Sequence, residues 1–269
     1  MLKLTRVLTL VSAVVSLFAF VPAASAQSPG TVNMEWLGWN AWRITSPTGK
    51  VVLLNPFLTN PDSPIRTEQI TKADLILVTN GHGDEVGQTI DIATNTGARV
   101  IGGSFELGSW FSEQGIPQAQ ALRLSPGDAM TVDGIKVRIV HSIHGSAINA
   151  LGTPNISGGV AGAFFITFEN GWTLYFGGSG SATSDQAMWA ELYKPDAAIL
   201  HLSATHEPLD YAAMVRLLQT NNPNLSAIFP GHLRFGAPNI PDAQAAIDAM
   251  GLGLSITAPT PGLTMDFTK

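Results

Sequence analysis

The sequence predicts a mixed fold of the α/β (α+β) class, built as one domain. Three observations predict it. Short apolar runs bounded by Gly, Pro, Asn and Asp recur along the chain, as strands ending in turns do. Helix-like stretches are interspersed among those strands in both halves. No low-complexity linker and no clear internal repeat divides residues 27–269.

Taken in order, 31–36 alternates loosely and reads as the first strand. Strands at 41–44 and 50–54 follow, joined by the turn Ser46-Pro47-Thr48-Gly49, and 67–72 is a short helical turn. Residues 75–78 form a buried strand, 86–96 a helix ended by Gly97, 99–101 a strand and 104–114 a helix ended by Gly115. Strands at 121–124, 130–132 and 136–140 make a hairpin-rich stretch with turns at Pro126-Gly127-Asp128 and Asp133-Gly134. Residues 147–159 are polar and glycine-rich, with the composition of a mobile loop. A hairpin pairs 163–169 with 173–176 through Asn170-Gly171, a pair suited to a two-residue turn. Then come a helix at 184–192, a strand at 197–202, a helix at 209–219, a strand at 227–229, a helix at 241–250 and closing strands at 254–257 and 263–267.

Residues 1–26 stand outside this pattern. Lys3 and Arg6 precede the apolar run 7–21, and Ala24-Ser25-Ala26 is a small-residue cleavage site. This is the signature of a secretory signal peptide and implies a periplasmic or secreted bacterial protein with no membrane anchor after cleavage. With no cysteine in the chain, disulfides, thiolate ligands and a cysteine nucleophile are excluded. The formal net charge is −6 before removal of Lys3 and Arg6, and no basic cluster is present. Nucleic acid is therefore not an expected partner, and a small-molecule substrate is.

Residues 72–88, KADLILVTNGHGDEVGQ, are the most informative segment. A buried strand stops at a polar cluster in which Asn80, His82, Asp84 and Glu85 are spaced by Gly81 and Gly83. Glycines allow a sharp turn, and convergent His and carboxylate groups at a strand end suit a divalent metal. The segment resembles the metal-binding signature His-x-His-x-Asp-His of the metallo-β-lactamase superfamily, with Asn80 and Glu85 in place of two histidines. The resemblance extends over nearly all of the mature chain and is closest to a lactonase-like branch. Trp36-Leu37-Gly38-Trp39 and Leu54-Asn55-Pro56 match a Leu-Gly-His and an Ile-Asp-Pro of its pattern, with Trp39 replacing histidine and Asn55 replacing aspartate.

What the resemblance implies is a four-layer αββα sandwich and a metal site. Its first metal position corresponds to Asn80, His82 and His144, the last within HSIHGS. Its second corresponds to Asp84, Glu85 and His232, and the bridging aspartate corresponds to Ser179. With these changes a pair of close metals is not expected, and one divalent ion is. Asp84, Glu85 and His232 would suit manganese or iron, and His82, His144 and His232 with Asp84 would suit zinc. Asp84 or Glu85, when not a ligand, can serve as general base.

Trp36, Trp39 and Trp42 recur every third residue. On a continuous strand Trp36 and Trp42 share a face, and Trp39 on the other is a candidate aromatic wall for substrate. His141 is expected beside the site or at the surface. His201 reads as a hydrogen-bonded core histidine, with replacement of a lost ligand as the alternative. His206, between Thr205 and Glu207, reads as exposed. Two functions follow. One is an exported metal-dependent hydrolase opening a lactone, ester or amide-like bond with metal-activated water. The other is a catalytically inactive relative, without metal, that binds a ligand or partner.

Overall fold

The computed structural model describes residues 30–269 apart from Thr153, so the expected signal peptide lies outside the described residues. One sheet carries β1 (Val32–Trp36), β2 (Trp42–Thr45), β3 (Val51–Leu54), β4 (Leu75–Val78), β5 (Arg99–Gly102), β6 (Ala121–Leu122) and the C-terminal β15 (Thr264–Phe267), in the order β15-β1-β2-β3-β4-β5-β6. The second carries β7 (Ala129–Val132), β8 (Ile135–His141), β11 (Gly162–Thr167), β12 (Thr173–Phe176), β13 (Ala197–His201) and β14 (Ala227–Gly231), in the order β14-β13-β12-β11-β8-β7. Hairpin-linked neighbours pair antiparallel, whereas β3 through β6 and β12 through β14 run parallel. Parallel neighbours need crossovers. These are supplied by α1 (Gly83–Val86) with α2 (Thr89–Thr96), by α3 (Phe105–Glu113), by α4 (Asp185–Tyr193) and by α5 (Pro208–Leu218), and α6 (Ile240–Ala249) packs beside α5.

Side-chain alternation assigns the layers. Phe164, Leu174 and Phe176 point between the sheets, where they meet Trp36, Trp42 and Phe229. Their neighbours Phe165 and Tyr175 point outward to Trp189, Tyr211 and Val215 on α4 and α5. On the other side Leu53, Ile76 and Val100 pack under Ile92, Leu107 and Phe111 of α2 and α3. Both sheets are thus apolar on two faces, which explains strands that read as continuous apolar runs. The result is the four-layer αββα sandwich. Among the described residues no helix is long and apolar enough to cross a membrane.

Four expectations change. Trp36 and Trp42 do share the inner layer, but as partners across β1 and β2 with ring centroids 6.4 Å apart. Trp39 sits in the turn between them at φ 55°. The expected strand at 254–257 is only a single bridge, Ile228 to Ile256. The polar loop 147–159 contains a two-stranded ribbon, β9 (Ala147–Ile148) with β10 (Ile156–Ser157).

The helix expected at 86–96 is divided. Gly87 adopts φ 48°, and a Cβ there would lie 2.3 Å from the Pro56 carbonyl oxygen. Only glycine accommodates both constraints. The break makes α1 a separate turn that holds Glu85 at the end of β4. Gly87→Ala is expected to cost about 2–3 kcal/mol of stability, read from urea unfolding. A loss under about 0.5 kcal/mol would contradict this packing.

Candidate functional site

The site lies where parallel strands end. Asn55 follows β3, residues 79–85 follow β4, residues 177–180 follow β12, His201 ends β13 and His232 follows β14. Strand ends in α/β sheets leave a crevice whose walls come from several loops. His144 enters from the loop after β8. Trp39, Asn55 and His232 all hold positive φ, at 55°, 42° and 61°. Such conformations cost free energy in non-glycine residues and persist where surrounding contacts fix them.

Glu85 is fully buried, with no exposed surface. Its carboxylate receives hydrogen bonds from Asn55 Nδ2 and Ser179 Oγ. Asn40 Nδ2 lies 3.3 and 3.4 Å from its two oxygens, and Thr79 Oγ1 lies 3.4 Å from Oε2. Asn55 is itself fixed, because its Oδ1 accepts from the Thr79 backbone N–H at 2.9 Å. Burial pushes the Glu85 carboxyl up to about 7, against the lowering effect of His232 and of these donors. The hydrogen-bond donors around this acid are neutral groups, and the His232 ring lies 3.6 Å from Oε1.

Asp84 faces the opening, with 32% of its side chain exposed. Its Oδ2 accepts from Trp39 Nε1 at 3.1 Å and meets His232 Nε2 at 3.2 Å. Burial alone would raise the Asp84 pKa, but the hydrogen bond and charge of His232 prevail and hold it below its ordinary value. Burial likewise opposes protonation of His232, yet Asp84 and Glu85 together hold its pKa above the usual imidazole value. Each group thus favours the charged form of the other.

Five histidines are joined by ring contacts. His82 and His144 lie 5.1 Å apart by ring centroid, His144 and His201 6.3 Å, His201 and His232 5.1 Å, and His201 stacks on His206 at 4.3 Å. His201 is poorly satisfied for a core histidine, because neither of its buried ring nitrogens has a partner of good geometry and only the Ser179 backbone offers a weak polar contact. Burial, followed by the neighbouring His206 and His232, pushes its pKa down to about 3. His206 is not exposed either. Only 9% of its side chain is accessible, and its Nε2 lies 3.0 Å from Asp210 Oδ2. Burial lowers its pKa despite Asp210, so the neutral ring donates to the carboxylate through Nε2. The buried lone pair on Nδ1 is left without a partner.

The structure thus brings together His82, Asp84, Glu85, His144, Ser179, His201, His232 and Trp39. Asn80 is beside them but turned to the backbone, its Oδ1 accepting from the His82 N–H at 3.0 Å. His141 is not brought to the site. It pairs with Asp185 at 3.2 Å and sits against Trp189 at 4.9 Å. Sequence reasoning missed Asn40 and Thr79, which complete the cage. A polar residue directly after Trp39, in a stretch of otherwise apolar residues and glycine, is the signal that could have found Asn40.

Whether these residues fit a metal divides by side. Glu85 already has hydrogen-bond donors on both oxygens, so the carboxylate side does not fit. The histidine side does fit in donor type. His201, His206 and His232 keep buried ring nitrogens without partners, and His206 and His232 each have the other nitrogen on a carboxylate. That is how carboxylates orient metal-binding imidazoles. Among the described residues no group of three His, Asp or Glu side chains is already assembled as a metal cage.

A sandwich of this kind with histidines and carboxylates at its strand ends defines a protein of the metallo-β-lactamase type. The family model described as the beta-lactamase superfamily domain matches residues 33–230. A protein named metal-dependent hydrolase from Rubrobacter xylanophilus is 32% identical over 241 residues, covering 87% of this chain and 96% of its own. One of the same name from Myxococcus xanthus is 31% identical over 258 residues, covering 91% of this chain and 87% of its own. In fold, a metallo hydrolase from Ignicoccus hospitalis matches with TM-score 0.74 at 21% identity, over 89% of this chain and 99% of that one. An isothiocyanate hydrolase from Delia radicum gut bacteria matches with TM-score 0.65 at 16% identity, over 88% and 99%. The chain belongs to the metallo-β-lactamase superfamily.

Proposed function

We propose that this protein is an exported metal-dependent hydrolase that opens a lactone, ester or amide-like bond. The observation that carries the reading is the buried, neutral ring of His201 with neither nitrogen in a hydrogen bond of good geometry, beside the buried Nδ1 atoms of His206 and His232. The names of the relatives support it. The cation would be held on the histidine side, by His201 with His144 and His232, rather than by Asp84 and Glu85. When bound there it would polarise a carbonyl and acidify water.

The chain's own residues do the rest. Asp84 is ionised, partly exposed and held in orientation by Trp39 and His232, so it is placed to accept a proton from water. Glu85 is out of reach of substrate and acts as a positioning residue. It holds Asn40, Asn55 and Ser179, and with them three loops, in one arrangement. The second reading, a binding protein without turnover, is favoured by one observation, the neutral hydrogen-bond donors that occupy both oxygens of Glu85.

Metal content decides between them. Mature protein without a histidine tag, incubated in turn with zinc, manganese and iron, is expected to retain about one ion per chain. His201→Ala and His144→Ala should each weaken binding at least tenfold, and Glu85→Gln should leave the stoichiometry unchanged. Retention of no metal under any condition overturns the hydrolase reading.

A further inference from the structure

We infer that an apolar cleft beside the histidines binds a neutral aryl or acyl group, the non-reacting part of the substrate. The cleft measures about 290 Å³ and is lined chiefly by Trp39, Ala204, His232, Leu233, Ala237 and Pro238. That is at the small end of ligand clefts, roughly 300 to 1,000 Å³. It shares Trp39 and His232 with the site described above, so a group seated in it has its polar end beside Asp84 and His232.

The walls are already fixed. Trp39 is tied through Nε1 to Asp84, meets Phe57 edge-on at 6.4 Å and tilts against His232 at 5.3 Å. Trp39 also bridges Leu233 through the backbone, and the His232 N–H donates to the Trp39 carbonyl at 3.2 Å. An aromatic wall held at both ring and backbone loses little entropy when a ligand packs on it.

The charge pattern selects a neutral occupant. Arg234, the cation at the cleft, is bound to Asp62 through Nε at 2.8 Å, and Asp62 also accepts from the Phe235 N–H at 3.1 Å. Its charge is thereby offset, and an anionic ligand would approach Asp62 and Asp84 as well. Ser203 and Thr205 also line the cleft, and their hydroxyls are able to hydrogen-bond the carbonyl or amide end of a bound molecule.

The assignment rests on the hydrolase reading for the word substrate, but binding itself needs neither metal nor turnover. The test is a ligand-observed NMR titration of metal-free protein with 4-phenylbutanamide, with 4-phenylbutanoate and acetamide as comparisons. Wild type is expected to bind 4-phenylbutanamide saturably, with a dissociation constant on the order of a millimolar. The carboxylate and acetamide should each bind at least tenfold more weakly. Ala237→Trp and Ala204→Trp fill the cleft from two loops. Each should weaken binding of the amide at least tenfold while leaving the circular dichroism spectrum and metal content unchanged. Absence of saturable binding, equal binding in whichever variant folds, or equal binding of the carboxylate overturns the proposal. Loss of the hydrolase reading is seen separately, as absence of metal in protein that still binds the amide.

Discussion

Asn55→Asp is expected to destabilise the metal-free protein by about 3–5 kcal/mol, a change of one atom. The wild-type amide donates to Glu85 and, at 3.0 Å, to Thr79 Oγ1, in a residue with no exposed surface. The variant places an acceptor where a donor stood, against a second fully buried carboxyl. Two buried acids in contact cannot both ionise, so the folded state must keep at least one proton that the unfolded chain releases. The penalty is therefore largest at high pH and shrinks as pH falls. For a chain of this size the loss is of the order of 10 °C in Tm. Thermal and urea unfolding in EDTA at pH 6 and pH 8 measure it. A loss below about 1 kcal/mol at pH 8 would mean that Asn55 does not support Glu85 as described. The same aspartate is what the superfamily pattern carries, so any recovery on adding divalent metal would show the cage changing back to a ligand set.

The second large effect is a pair of opposed titrations hidden in the wild-type pH profile. His201 titrates near 3 when folded against an ordinary 6.5. Between pH 7 and 4.5 the unfolded chain takes up a proton that the folded chain refuses, so stability falls on acidification by roughly 2–3 kcal/mol. Glu85 does the reverse. Its folded value is about 7 against 4.5, so the folded chain takes up the proton first and stability rises by a similar amount over the same range. The two cancel in the wild type. His201→Leu should therefore gain stability relative to wild type as pH falls from 7 to 4.5, and Glu85→Gln should lose it. Urea unfolding of the metal-free proteins at four pH values separates the curves. Variant and wild-type curves that stay parallel would sink the assignment of these two titrations.

The histidine cluster was only partly legible in the sequence. His82, His144 and His232 stood in stretches that match a motif. His201 and His206 did not, and they read as a core residue and a surface residue. Neither stretch carries local information about what faces it. His201 is brought to His144 and His232 by parallel pairing of β13 with β14 and by the loop after β8, contacts between segments far apart in the chain. The burial of His206 follows from its stack on His201 and its bond to Asp210.

The sequence by itself determined most of the strands and helices, because periodicity, glycine turns and helix ends are local signals. It also determined the superfamily, through the segment 72–88 and its replaced ligands. Only the tertiary structure decided what those replacements do. Asn40, Asn55, Thr79 and Ser179 come from the ends of different strands and loops and become one set of donors when the two sheets close around Glu85. The physical reason is that a buried acid has no fixed character of its own. Neutral donors, cations or other acids set its charge, and the folded chain alone selects among them.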